Sequence, residues 1–237
     1  MRKNMQKWRE FSGKIKDLLR INIIKDYIIS YEQPDVVFIW IPKSAGTSIY
    51  NAIGARKFKT TDRIKNRFCG RGIVTFGHMN YFELLNQGYL SEKFDKRAFK
   101  FVIVRDPYDR AVSLYEYLKS RKKHIHENES FLNFLQRLNK NGIDPIGLYS
   151  SNGTSHCNPQ IRWVEKINID FVGRFENLEQ DLQSIKSKIE LSTLTIPRKN
   201  ASRRKETSSY YCTEARELVE HIYREDFKFF SYKKYMP

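Results

Sequence analysis

The first third of the chain contains one apolar run with no polar alternation, Val36-Val37-Phe38-Ile39-Trp40-Ile41, and such a run suits a strand buried on both faces of a parallel sheet. Further core strands are expected near 73–76, 99–104 and 169–174. Helical stretches are expected near 47–54, 80–87, 107–119, 130–140, 177–189 and 213–226. Strands alternating with helices predict an α/β fold: one domain, 34–237, with a central, mostly parallel sheet flanked by helices. Residues 1–33 read differently. They are basic, and Trp8, Phe11, Ile15, Leu18, Leu19 and Ile23 share one helical stripe, which Gln33-Pro34-Asp35 ends. Packing of that helix on the domain is the favoured reading, with a membrane-surface or dimer role as its rival. Between 141 and 160 lies a Gly-, Ser- and Asn-rich stretch, long enough to be a candidate part of a binding site.

The apolar run stops in Pro42-Lys43-Ser44-Ala45-Gly46-Thr47-Ser48. A strand, a tight loop and a helix N-terminus aim backbone N–H groups and the positive end of the helix dipole at one point, where an anion is stabilised, and Lys43 adds a full charge. The nucleotide P-loop, G-x-x-x-x-G-K-[ST], has its Lys directly after the second Gly. Here Lys43 precedes Gly46 by three positions, so the order is different.

A second strand-to-helix junction follows at Phe99-Lys100-Phe101-Val102-Ile103-Val104-Arg105-Asp106-Pro107-Tyr108-Asp109-Arg110-Ala111-Val112-Ser113. Pro107 suits a first helical position and Asp106 its cap. Arg105 at the strand end and Ser113 two turns into the helix can face the same loop, and a planar guanidinium can give a phosphate two parallel hydrogen bonds.

Together these motifs resemble the sulfotransferases that use 3′-phosphoadenosine 5′-phosphosulfate (PAPS), most closely the carbohydrate enzymes of the 2-O-sulfotransferase and chondroitin type. The resemblance covers most of the chain after residue 35 and implies the P-loop NTPase-like sulfotransferase fold. It implies that Lys43, Ser44, Ala45, Gly46, Thr47 and Ser48 wrap the 5′-phosphate and sulfate, and that Arg105 and Ser113 grip the 3′-phosphate. Phe76-Gly77-His78-Met79 resembles the segment carrying the catalytic base in the uronyl 2-O enzymes. Val172-Gly173-Arg174-Phe175-Glu176-Asn177-Leu178 resembles the turn near adenine, with Phe175 against the base. Asn200-Ala201-Ser202-Arg203-Arg204 resembles the loop that closes over the nucleotide, so Ser202, Arg203 and Arg204 join the donor site.

Sulfuryl transfer needs a base for the acceptor hydroxyl and a stabiliser for the leaving phosphate oxygen. Lys43 is expected to be the stabiliser and His78 the base, titrating near an ordinary imidazole at about 6.5. Glu83, one helical turn on, is a candidate to orient that ring or take its proton, and His156 is the rival base. Lys123, His156 and Arg162 are candidates for an anionic acceptor sugar. No metal is expected, because Lys and helix N-termini can neutralise the charge that Mg²⁺ handles in phosphoryl transfer. A P-loop nucleotide kinase, or a non-enzymatic polyanion binder, are the alternatives.

Charge and cysteines change this picture little. Forty-three Lys and Arg against 27 Asp and Glu give +16, a field that attracts anions of any kind without choosing among them; no nucleic-acid partner is expected. Cys69, Cys157 and Cys212 are widely spaced, with neither a C-x-x-C pair nor a metal-ligand pattern. No run approaches the roughly 20 apolar residues of a membrane span, and no secretory pattern follows Met1-Arg2-Lys3. A soluble, bacterial-type cytoplasmic enzyme is therefore expected, with a Golgi lumenal domain lacking its anchor as the alternative. The acceptor is expected to be a hydroxyl of an oligo- or polysaccharide.

Overall fold

A computed structural model describes residues 35–58, 61, 64, 72–121, 125, 128–141, 154–189 and 205–237. The expected N-terminal helix in 1–33, and Cys69, Lys123, Ser202, Arg203 and Arg204, lie outside the described residues.

The architecture is one α/β domain around a five-stranded sheet. The strands are β1 (Val36–Ile39), β2 (Arg56–Lys57), β3 (Ile73–Thr75), β4 (Phe99–Val104) and β5 (Phe171–Arg174), in the order β2-β3-β1-β4-β5. Every pairing is parallel, with Val36 opposite Ile73 and Phe99, and Phe101 opposite Phe171. The helices are α1 (Gly46–Ala52), α2 (Tyr81–Asn86), α3 (Glu92–Arg97), α4 (Pro107–Ser120), α5 (Phe131–Asn141), α6 (Leu178–Lys188), α7 (Thr213–Ile222) and α8 (Arg224–Phe229).

The period of two along a strand explains why β1 and β4 read as unbroken apolar runs. Val36, Phe38, Phe101 and Ile103 face one layer with Ile49 and Ile53 around α1 and Leu182 and Ile185 of α6. Val37, Ile39, Val102 and Val104 face the other, with Leu84 of α2, Phe94 of α3 and Trp163. Both sets of side chains leave water, so neither strand carries a polar face. A separate cluster packs α4 against α5, α7 and α8 through Leu114, Tyr115, Leu118, Phe134, Leu135, Val219 and Tyr223. Lys100 is the polar residue inside the β4 run. Its ammonium is held by the Asp95 carbonyl at 2.6 Å and the Asp95 carboxylate at 3.3 Å, so its charge is buried with partners.

The expected strand at 99–104 and helix at 107–119 are present to within a residue. Three elements differ from expectation. β2 has two residues and no apolar pattern, and only its ladder with β3 makes it a strand. α3 is almost wholly charged and buries Phe94 alone; its signal is local, with Ser91 capping Phe94 N–H at 3.1 Å, acids in the first turn and bases in the last. The helix expected over 213–226 breaks at Tyr223 (φ −108°, ψ 23°), which turns α8 so that the Asp226 carboxylate meets the amides of Gln160 and Ile161.

Candidate active site

β3, β1 and β4 are neighbours in a parallel sheet, so their carboxyl ends open on the same edge, and the three candidate motifs follow those three ends. This is where the strand order switches: the chain runs from β1 to β2 and β3 on one side and β4 and β5 lie on the other.

After β1 the backbone turns tightly. Lys43 (φ 70°) and Ala45 (φ 58°) both occupy the left-handed region, which costs non-glycine residues on the order of 1 kcal/mol or more each. Ala45 starts α1 and has no side-chain oxygen to cap its first turn, whose leading N–H groups have no intrahelical acceptor. Gly46 cannot carry a side chain: a Cβ there would lie 1.7 Å from Trp40 Nε1. The indole is itself packed on Tyr50, with ring centroids 5.5 Å apart. The Lys43 ammonium sits 4.2 Å from the centre of the Tyr117 ring of α4.

The β4 motif meets this loop directly. Arg105 donates from Nη1 to the Lys43 carbonyl at 2.9 Å, from Nε to Asp109 Oδ2 at 2.7 Å, and lies 3.9 Å over the Phe175 ring. Asp109 also takes the Thr207 hydroxyl at 2.5 Å. Ser113 lies one turn beyond Asp109 on the same side of α4 and is buried. Asp106 caps α4, accepting from Tyr108 and Asp109 N–H, and its burial raises its pKa to about 6. Phe175 thus has one face on the Arg105 guanidinium and packs, partly buried, against the α6 side of the core.

His78 follows β3 through Gly77, whose φ of 60° suits glycine. Its Nδ1 lies 3.0 Å from the Trp40 carbonyl, an obligate acceptor, so Nδ1 carries the proton and Nε2 keeps its lone pair. The partner that orients the ring at Nδ1 is therefore the Trp40 carbonyl. Glu83 sits in the first turn of α2, where its amide is capped by Asn80. Burial lowers the His78 pKa to about 4, outweighing the Trp40 bond that raises it, and the charges of Lys57 and Lys43 lower it further. The titration expected near 6.5 is moved down because the protonated ring would be desolvated and would meet the charges of two lysines.

Residues 154–160 bring His156 to His78, with ring centroids 4.6 Å apart and nearly perpendicular. His156 is buried, and burial, then the neighbouring His78, Arg110 and Lys43, hold its pKa lower still. The same segment is pinned to the His78 turn by Trp163 Nε1 donating to the His78 carbonyl at 3.1 Å and by Asn80 donating to the Arg162 carbonyl at 2.8 Å. The Arg162 side chain is half exposed and pairs with Glu165 at 2.9 Å.

Sequence reading therefore anticipates Lys43, Arg105 and His78 at one edge but misses what joins them. Lys57 carries its ammonium 3.7 Å over the Trp40 ring, and nothing in Arg56-Lys57-Phe58 announces it. Gln160 and Arg110 are buried connectors: Arg110 donates to the Pro42 carbonyl at 3.2 Å and the His156 carbonyl at 3.0 Å. Both read as ordinary polar residues until the fold encloses them. Among the described residues no cluster of His, Cys, Asp or Glu is arranged to hold a metal ion, and no helix is long and apolar enough to cross a membrane.

Comparison with known proteins bears on the fold and the family. A mouse sulfotransferase, SULT7A1, solved in complex with PAP, superposes with a TM-score of 0.52 at 17% identity, over 82% of this chain and 84% of that one. A sulfotransferase from Alicyclobacillus acidocaldarius is 16% identical over 83% of this chain and 93% of its own, at a TM-score of 0.48. No curated protein matches the chain. The family model for the sulfotransferase family matches residues 25–233, and a match over that much of the sequence makes this chain a member of the sulfotransferase family.

Proposed function

We propose that the enzyme moves a sulfuryl group from PAPS to an acceptor hydroxyl, in the first place on a carbohydrate. The observation that carries this reading is the convergence of Lys43, Arg105 and His78 behind three adjacent parallel strands, with Arg105 bonded to the Lys43 carbonyl. The left-handed turn at Lys43 and Ala45 and the uncapped start of α1 fit a phosphosulfate group. On this reading Ser44 contributes its backbone N–H, Thr47 and Ser48 add hydroxyl donors, and Arg105 and Ser113 take the 3′-phosphate. Ser202, Arg203 and Arg204 are proposed to help hold the 3′-phosphate. Lys43 meets the charge that grows on the leaving oxygen as the sulfur–oxygen bond to phosphate breaks. His78 Nε2 accepts the hydroxyl proton as the new oxygen–sulfur bond forms.

Glu83, Lys123 and Arg162 remain candidates for acceptor contacts. The position of His156 beside His78 supports a role in the environment of the base more than in gripping a sugar. A phosphotransferase reading needs a strand-end carboxylate for Mg²⁺; the one at the end of β4, Asp106, is engaged in capping α4.

Titration calorimetry without metal tests the donor assignment. The wild type is expected to bind adenosine 3′,5′-bisphosphate more tightly than ATP. Arg105→Ala is expected to weaken the bisphosphate by roughly 10- to 100-fold, the range for a lost charge-assisted bond, and adenosine 5′-phosphate far less. Equal losses for the two ligands sink the 3′-phosphate role. A screen of glycans with labelled PAPS tests the acceptor class, and transfer to phenols or lipids alone would move it.

A further inference from the structure

We propose that Gln160 is the positioning residue that holds the two donor-binding loops in register, a role that rests on the donor reading above. Its side chain is fully buried at the start of the 3₁₀ turn Gln160–Trp163, far in sequence from both loops. Oε1 accepts the Arg105 backbone N–H at 2.9 Å, and Nε2 donates to the Arg105 carbonyl at 2.8 Å, so the amide clasps both main-chain groups of the residue that follows β4. The same Oε1 takes the Ser44 hydroxyl at 3.3 Å, from the loop after β1. One planar amide therefore ties the 5′-phosphosulfate loop to the 3′-phosphate arginine.

Gln160 is in turn held from behind. Its own N–H donates to Asp226 Oδ2 at 2.8 Å, Nε2 lies 3.4 Å from the same oxygen, and Ile161 N–H donates to Oδ1 at 2.9 Å. Asp226 is fully buried on α8. An amide with two donors and a two-lone-pair acceptor satisfies this set; a carboxylate in its place would face the Arg105 carbonyl and Asp226 without a proton to give. The arrangement fixes the Arg105 main chain and the Ser44 side chain from the core, and misplacement on the order of 1 Å of groups that position a reacting substrate costs about 100-fold in rate.

Gln160→Met keeps the volume and removes every polar contact. On folded protein it is expected to weaken adenosine 3′,5′-bisphosphate and adenosine 5′-phosphate together, each by roughly tenfold or more, and to raise the KM for PAPS more than it lowers kcat. That pattern differs from Arg105→Ala, which spares the 5′-phosphate. Gln160→Glu is expected to bind poorly at neutral pH and to recover, relative to wild type at the same pH, as acidification protonates the buried carboxyl and restores a donor to the Arg105 carbonyl. Asp226→Asn, two links from the ligand, is expected to weaken both nucleotides by a smaller factor and covers the case in which Gln160→Met does not fold.

A wild type that binds both nucleotides, with folded Gln160 and Asp226 variants that bind them equally well and differ only in melting temperature, overturns the positioning role alone. A wild type that binds neither removes the donor reading and this role with it.

Discussion

Lys43→Ala is expected to lower turnover by a factor on the order of 10² or more while bisphosphate affinity falls much less. An ammonium aimed at charge that develops only in the transition state contributes there and little to the ground state. The loop supports this assignment. Lys43 holds a left-handed backbone that a β-substituted residue adopts only at a cost, and Arg105 bonds its carbonyl. Alanine keeps that β-carbon and hence the same backbone preference, so the comparison isolates the charge. Because Lys43 also lowers the pKa of His78, the acid limb of the rate profile should move up in the variant. Steady-state kinetics at saturating PAPS, with a calorimetric Kd on the same preparation, measures both quantities. Near-normal turnover would remove Lys43 from the chemistry.

His78→Ala is expected to abolish transfer and to leave bisphosphate binding close to wild type, since the donor loops leave β1 and β4 and His78 follows β3. A residue with a purely structural role would do the reverse, lowering melting temperature and losing activity only with folded protein. The pH profile adds an independent test. With Nδ1 held by Trp40, only neutral Nε2 can accept a proton, so activity is lost as pH falls through the His78 pKa and is full above it. Burial, the largest cause of the low value near 4, does not depend on the donor. Bound anions offset the lysines alone, so the acid limb of acceptor kcat/KM should stay well below 6.5. An active, stable His78→Ala protein transfers the role of base to His156 or Glu83, and a limb at 6.5 contradicts a buried imidazole.

The motifs around Lys43 and Arg105 were legible in the chain because each is local: an apolar run, a turn and a helix start within about a dozen residues encode their own geometry. His78 was legible more weakly, as a Gly-His after a short strand. Its behaviour was not, since its low pKa arises from burial together with Lys57 and Lys43, neither of them near it in sequence. Phe175 illustrates a partner that the sequence does not announce. Its place after β5 could be read, but its use by Arg105 could not, because the guanidinium arrives from a different strand.

What the sequence alone determined was the fold class, the central strands and the two strand-to-helix junctions around Lys43 and Arg105, all of which follow from periodicity and from turn and cap chemistry acting over short range. Only the tertiary structure decided that β3, β1 and β4 are neighbours, that Trp40 orients His78 and packs on Gly46, and that Gln160 joins Ser44 to Arg105 with Asp226 behind it. Buried hydrogen bonds between residues separated by dozens of positions have no periodic signature. They form because a closed core leaves their polar groups no water, and the partner each finds is set by the packing of the layers.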